Sequence, residues 1–297
     1  MGTARVLGAA SVAGGCALAY GVGYERNAFT LRRIDVPVLA KGAPPLRVLH
    51  LSDLHMLDRQ RAKQDWIREL GRLLPDLVVL TGDVLSGADA GPSVLRALAP
   101  LLDRPGIFVP GNNDYYEPTF KNPVRYFFGT RSEPKGAPID WAGFARELVA
   151  AGWQDLTNVR ADLKVAGRVI DVRGVDDPYL GRDRLDVVSG RADPKADLRL
   201  GIAHAPQPRV IDAYTADGVE LLLAGHTHGG QVCLPGFGPL VTNCGIDRAR
   251  ARGLSRYGAS GNEAWLHVSA GLGTSPYAPI RFACRPEASL LTLTAAR

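Results

Sequence analysis

Short apolar runs recur along this chain from residue 46 onward, and polar tails follow several of them. Residues 46–51 have the length and character of a buried strand and feed directly into Ser52-Asp53-Leu54-His55. Over 63–74, Trp66, Ile67, Leu70, Leu73 and Leu74 are spaced for one apolar helix face, which Pro75-Asp76 ends. Residues 77–80 predict a second buried strand, delivering Thr81-Gly82-Asp83. A helix over 92–102 and a strand over 107–109 then deliver Gly111-Asn112-Asn113-Asp114. The second half repeats the device. A helix over 140–151 and strands over 159–165 and 168–174 precede a strand over 198–203 that ends at His204. A helix over 208–216 and a strand over 219–223 lead to Gly225-His226-Thr227-His228, and strands near 264–269, 280–284 and 289–294 close the chain. Alternating strands and helices with polar strand ends predict an α/β fold, in which ligands sit at the carboxyl ends of the strands.

Those ends carry the candidate chemistry. Asp53, His55, Asp83, Asn112, His204, His226 and His228 include four of the six histidines. Carboxylate, amide and imidazole donors without a thiolate suit hard or borderline divalent cations, and so many suit two of them. A pair of cations is apparatus for attack on a phosphate ester. Alternate residues of a strand share a side, so D-x-H and H-x-H at strand ends aim both side chains one way. Either pattern alone is commonly structural; five motifs after five predicted strands point to one site.

Composition adds bounds. At 46% hydrophobic and 22% charged, without low-complexity tracts, the chain is a folded protein, and chemistry spread from 53 to 228 favours one large domain. A net charge of +5 suits anionic substrates or an anionic membrane surface and is no nucleic-acid signature. Arg248, Arg250, Arg252 and Arg256 read as a solvated loop rather than a phosphate clamp. No C-x-x-C pair exists, so a thiolate zinc site is not expected. Val6 through Tyr24 carries no charge and, at about 1.5 Å per residue, just reaches the roughly 30 Å of a hydrocarbon core. This predicts a single membrane anchor; the alternatives are a cleaved signal peptide, because Ala17-Leu18-Ala19 resembles a cleavage site, and a peripheral or buried helix. Arg5 against Arg26, Arg32 and Arg33 places the body on the cytoplasmic face. The organisation expected is an anchor and linker with an edge strand over 1–45, and a catalytic domain over 46–297. Residues 115–138 lack periodicity and are rich in aromatic and basic side chains, as a lid over the site or an inserted segment would be. Oligomeric state is left open.

The order D-x-H, G-D, G-N-x-D, H, G-H-x-H resembles the calcineurin-like metallophosphoesterase superfamily from residue 46 to about 293. Gly174-Val175-Asp176-Asp177-Pro178, Gly225 through Val232 with Leu234-Pro235-Gly236, and Ser269-Ala270-Gly271-Leu272-Gly273 resemble its bacterial membrane-anchored subgroup. That subgroup includes phosphodiesterases and UDP-2,3-diacylglucosamine pyrophosphatases. The resemblance implies a two-sheet sandwich flanked by helices (α/β/β/α), with a dimetal site at the strand ends. It implies Asp53, His55 and His228 on one cation, Asn112, His204 and His226 on the other, and Asp83 bridging. Mn²⁺, Fe²⁺, Zn²⁺ and Mg²⁺ all fit, with Mn²⁺ favoured. Two cations about 3.5–4 Å apart share a hydroxide whose pKa falls toward neutrality, and in-line attack then needs no protein nucleophile. The activity implied is hydrolysis of a phosphodiester or pyrophosphate, on a membrane-lipid-linked substrate. The alternatives are a catalytically silent metal-binding scaffold at the membrane and a phosphomonoesterase.

One position departs from the pattern. Most members have histidine after the metal-bound asparagine, assigned as proton donor to the leaving group and paired with the following acid. Here the two catalytic candidates are Asn113 and Asp114. An amide donates a hydrogen bond but yields no proton. A positioned general acid is worth about 10²–10⁴ in rate, and its loss costs least when the leaving group is already a stable anion. A pyrophosphate or activated diester is therefore expected. Asp114 reads as a brace for Asn113, or as a substitute acid. His50 and His267, inside predicted strands, read as core or sheet-edge residues.

Overall fold

The computed structural model describes residues 2–119, 136–242 and 244–296. Its helices are α1 (Gly2–Ala19), α2 (Arg61–Glu69), α3 (Gly91–Leu102), α4 (Trp141–Ala150), α5 (Leu185–Val188) and α6 (Pro208–Ala216). One six-stranded sheet contains β1 (Thr30–Leu39), β2 (Leu46–Leu51), β3 (Leu77–Thr81), β4 (Gly106–Val109), β5 (Gln154–Asp155) and β14 (Glu287–Ala295), in the order β1-β14-β2-β3-β4-β5. The other contains β6 (Val159–Val165), β7 (Arg168–Gly174), β8 (Leu198–Ile202), β9 (Leu221–Ala224), β12 (Gly253–Ala259) and β13 (Asn262–Val268), in the order β12-β13-β9-β8-β7-β6. A short hairpin, β10 (Cys233–Leu234) with β11 (Gly238–Pro239), follows the G-H-T-H segment.

Period-two alternation within the apolar runs builds the layers. In β2 and β3, Leu46, Val48, Leu77 and Val79 face the second sheet, while Leu49, Leu51, Val78 and Leu80 face helices α2, α3 and α4. In β9, Leu221 and Leu223 point between the sheets and Leu222 points toward α6. Strands buried on both faces read as continuous apolar runs, which is why periodicity alone revealed their burial but not their sidedness. The result is the α/β/β/α sandwich. Strands β2 to β5 are parallel in one sheet, as are β7, β8, β9 and β13 in the other, and antiparallel neighbours make both sheets mixed.

Several expectations need correction. Among the described residues no helix is long and apolar enough to cross a membrane. The Ala- and Gly-rich α1 adds length with little hydropathy. After it the chain forms a wide turn over Tyr20–Tyr24 that docks on the body. There Tyr20 meets Phe282 edge to face at 6.2 Å, and a Cβ on Gly21 would lie 2.7 Å from the Arg281 carbonyl. The buried Glu25 carboxylate accepts from the backbone N–H groups of Ala283 (3.0 Å) and Cys284 (2.6 Å). The expected transmembrane anchor over Val6 through Tyr24 finds no support among these helices. The edge strand expected before residue 45 is β1, paired in parallel with β14 along nearly its whole length. Residues 280–284 form no strand, only an isolated bridge from Phe282 to Val232. The arginine-rich stretch is half strand: Arg256 lies in β12 with its guanidinium 4.0 Å from the Trp265 ring centroid. The ends of the aromatic segment pair, with Glu117 N–H donating to the Ala137 carbonyl at 2.8 Å; the lid or insertion expected between them falls largely on 120–135, outside the described residues.

Candidate metal centre

The seven expected ligand residues follow strand ends, five of them in a conformation that alternation does not describe. Asp53, His55, Asp83, His226 and His228 all have left-handed backbone, with φ between 40° and 67°. Non-glycine residues are uncommon there, and each such position costs on the order of 1–3 kcal/mol, so a cluster marks a built site. The loops are locked to one another. Backbone N–H groups of Asp53, His55 and Met56 donate to the carbonyls of Gly82, Asp83 and Val84, each at 2.9 Å, and Gly225 N–H donates to the His204 carbonyl at 2.8 Å. Glycine is required where these loops touch. A Cβ on Gly225 would lie 1.9 Å from Ser52 Oγ and 2.4 Å from Asp53 Oδ2, and one on Gly111 would lie 2.3 Å from Asp83 Oδ1.

Two ligand groups result, and they share one residue. Asp53, His55, Asp83 and His228 converge in the first, and Asp83, His204 and His226 in the second. Asp83 Oδ2 lies 3.4 Å from His55 Nε2 and 3.3 Å from His204 Nε2, and Asp53 Oδ1 is 3.6 Å from His228 Nε2. Across each group two imidazole nitrogens confront each other at 3.2 Å: His55 Nε2 with His228 Nε2, and His204 Nε2 with His226 Nδ1. The far nitrogens already have oxygen partners. His55 Nδ1 is 3.2 Å from Ser86 Oγ, His204 Nδ1 is 2.7 Å from the Thr81 carbonyl, and His228 Nδ1 is 3.1 Å from the Gly273 carbonyl. Protons placed on those nitrogens leave bare Nε2 lone pairs aimed inward, the arrangement outer hydrogen bonds impose on metal-bound histidine. Asn112 Oδ1 is buried and accepts no hydrogen bond, as an amide oxygen reserved for a cation would be. The donor set therefore fits two divalent ions.

Electrostatics agrees. Burial penalises the Asp83 carboxylate, yet the imidazoles of His204, His55 and His226 hold its carboxyl well below the usual range. Burial lowers His55 to about 4, and it holds His228 well below its ordinary value with help from His55 and Arg281. Burial acts the same way on His204, but Asp83 at close range overrides it and raises His204 well above normal. Burial lifts the Asp53 carboxyl to about 6. A buried anion paired with one imidazole held charged, His204, is a site where a proton stands in for a cation.

The two catalytic candidates occupy different positions. Asn113 faces the centre: its backbone N–H donates to Asp83 Oδ1 at 2.8 Å and its Nδ2 donates to Asp83 Oδ2 at 2.7 Å. Asp114 is fully buried. Its Oδ1 accepts from Val84 (2.8 Å) and Leu85 (2.9 Å) and its Oδ2 from Gly111 (2.8 Å), tying the Asp83 loop to the Asn112 loop. Sequence reasoning missed Arg281, which is fully buried and donates from Nη2 to the carbonyls of Ala270 (2.6 Å), Gly271 (3.1 Å) and Gly273 (2.7 Å), close to His228. Its signal was a lone charge in the apolar run Pro279 to Cys284, which the strand reading of 280–284 passed over. At the rim Tyr179 stacks near His226, ring centroids 4.7 Å apart, and Tyr115 donates to Asp176 at 2.6 Å beneath the Arg182 guanidinium.

The sequence profile of calcineurin-like phosphoesterases matches residues 46–230. The chain belongs to this family. Among its relatives, the uncharacterized protein YpbG of Bacillus subtilis (strain 168) is 27% identical over 294 residues, covering 98% of this chain and 95% of that one. The phosphodiesterase YaeI of Escherichia coli (strain K12) is 28% identical over 285 residues, 92% of this chain and 93% of the relative. A solved dimetal phosphatase from Danio rerio superposes with a TM-score of 0.42 at 13% identity, over 77% of this calcineurin-like chain and 88% of the other.

Proposed function

We propose that this calcineurin-like protein hydrolyses phosphodiester or pyrophosphate bonds with two divalent cations. Asp53, His55 and His228 would hold one, Asn112, His204 and His226 the other, and Asp83 both. The observation that carries the reading is the sharing of Asp83 by two converging ligand groups. Two cations held there would supply an activated nucleophile and would neutralise charge on the phosphoryl oxygens. The chain's own residues do the rest. Ser86, the Thr81 carbonyl and the Gly273 carbonyl orient His55, His204 and His228. Asp114 fixes the spacing of the loops that carry Asp83 and Asn112 and acts as a positioning residue, with every oxygen committed to backbone N–H. The catalytic domain we propose includes β1, because its pairing with β14 completes the first sheet.

Asn113 sets the bond that is cleaved. Its amide reaches the centre and donates there, but it has no proton to give. We infer a leaving group that departs as a stable anion, a phosphate of a pyrophosphate or the aryl oxide of an activated diester. The protein supplied with Mn²⁺ should cleave bis(p-nitrophenyl) phosphate and a nucleoside diphosphate ester, and should act on alkyl monoesters about 10²-fold or more slowly. Asn113→His should narrow that gap by improving alkyl leaving groups. Equal alkyl and aryl turnover before the substitution would defeat the leaving-group argument, and no turnover of any ester by metal-loaded protein would defeat the activity.

A further inference from the structure

His50 and His267 are both fully buried and sit between the two sheets, on β2 and β13. Their Nδ1 atoms lie 3.0 Å apart, and His50 Nε2 lies 2.8 Å from Thr81 Oγ1. Thr81 Oγ1 is 2.8 Å from Ser52 Oγ, and Ser52 Oγ is 2.6 Å from Asp53 Oδ2. Two imidazoles and two hydroxyls in a largely apolar inter-sheet core are costly unless fully paired, so the line they form calls for a reason.

The proton on each member can be placed. A metal-facing carboxylate has only acceptor oxygens, so Ser52 donates to Asp53; its other contact, to the Thr81 carbonyl, is much longer at 3.4 Å. Ser52 Oγ can then only accept from Thr81, which uses the single Thr81 hydroxyl proton. Thr81 has none left for His50, so His50 Nε2 must donate to it. With Nε2 protonated in a neutral ring, His50 Nδ1 is bare and accepts from His267 Nδ1–H. The remaining atom, His267 Nε2, is then an acceptor; it is buried without a hydrogen-bond partner, which a lone pair tolerates better than an N–H. Every bond points the same way, from β13 through β2 and β3 to Asp53.

We propose that His267, His50, Thr81 and Ser52 form a one-directional hydrogen-bond relay that fixes the Asp53 carboxylate, holding Oδ2 so that Oδ1 is presented to the cation shared with His55 and His228. The proposal rests on the reading of Asp53 as a metal ligand. His226 N–H assists, bridging both Asp53 oxygens at 3.1 Å. The four are positioning residues: none touches the place where substrate would lie. The relay also couples the two ligand groups, since the Thr81 carbonyl accepts from His204 while the Thr81 side chain serves Asp53.

The test has two arms on the full chain. Nitrogen-15 spectra of histidine-labelled, Mg²⁺-loaded protein should show His50 as the Nε2–H tautomer and His267 as the Nδ1–H tautomer, both neutral at pH 7. A proton on His50 Nδ1, or a doubly protonated ring, would overturn the direction of the relay. In the second arm Mn²⁺ binding is measured by equilibrium dialysis, with melting curves alongside. Ser52→Ala should weaken one of two sites by about 10–100-fold and leave the other within about threefold. His50→Leu should weaken the same site, and His50→Gln, whose amide nitrogen reaches the Nε2 position, should restore it. Two unchanged affinities in Ser52→Ala and His50→Leu, or equal losses at both sites, would overturn the relay while leaving the dimetal reading standing. Wild-type protein that retains no Mn²⁺ would overturn both.

Discussion

Replacing Gly225 by alanine perturbs the centre without removing a single ligand. The added Cβ would lie 2.4 Å from Asp53 Oδ2 and 1.9 Å from Ser52 Oγ. Ordinary contact begins near 3.4 Å, so the carboxylate must retreat by about 1 Å and the hydroxyl by about 1.5 Å. Overpacking of this kind costs about 1–3 kcal/mol. With an unfolding entropy of about 2 cal/mol/K per residue, a chain of 297 residues should melt about 2–5 °C lower. The functional loss should be out of proportion to that. A displacement of about 1 Å at a reacting centre costs on the order of 10²-fold, because the geometry is no longer assembled in advance. The variant should therefore keep its fold by circular dichroism and keep one tight Mn²⁺ site. The site containing Asp53 should weaken at least about tenfold, and kcat/KM on bis(p-nitrophenyl) phosphate should fall about 10²-fold. Two tight ions with unaltered turnover in Gly225→Ala would show that Asp53 is not a ligand held against the G-H-T-H loop.

Further outcomes follow from the same geometry. Arg281→Met should strand the carbonyls of Ala270 and Gly273 and free His228, lowering stability by about 1–3 kcal/mol and metal affinity by about tenfold; thermal melts and dialysis read both, and an unchanged melt would refute the bracing role. Because Asp83 raises His204 well above its ordinary pKa, the metal-free protein binds a proton there that a cation must displace. Apparent Mn²⁺ affinity should thus rise with pH, and calorimetry in buffers of different ionisation enthalpy should show proton release at pH 7. No release would contradict the assignment of His204. Asp83→Asn should weaken both sites together, unlike Gly225→Ala, and loss at one site only would mean that Asp83 is not shared.

Much of this was legible in the chain because each strand end carries its chemistry within a few residues. The apolar runs before Asp53, Asp83 and His204 are the observed β2, β3 and β8 to within a residue or two, and six of the seven expected ligand residues fall in the two converging groups. The local reason was not legible. Alternation along a strand suggested how Asp53 and His55 share a side, whereas left-handed backbone at both positions does the aiming, and no propensity favours Asp or His there strongly enough to announce it. Long-range partners were hidden for a different reason. Ser52, Thr81 and His50 meet through the pairing of β2 with β3, and His267, 217 positions from His50, joins them only because the two sheets stack. Arg281 looked like an interruption in a strand, and its value lies in carbonyls that only the folded loops present. Length and absence of charge suggested a membrane anchor over Val6 through Tyr24, whereas among the described residues no helix is long and apolar enough to cross a membrane.

The most direct measurement is electron paramagnetic resonance of the protein titrated with Mn²⁺. With Asp83 between two ligand groups, the signal at saturation should be that of two exchange-coupled ions per chain, replaced in Asp83→Asn by weakly bound, magnetically isolated ions. A single uncoupled Mn²⁺ in the wild-type protein, or none, would contradict the paired centre.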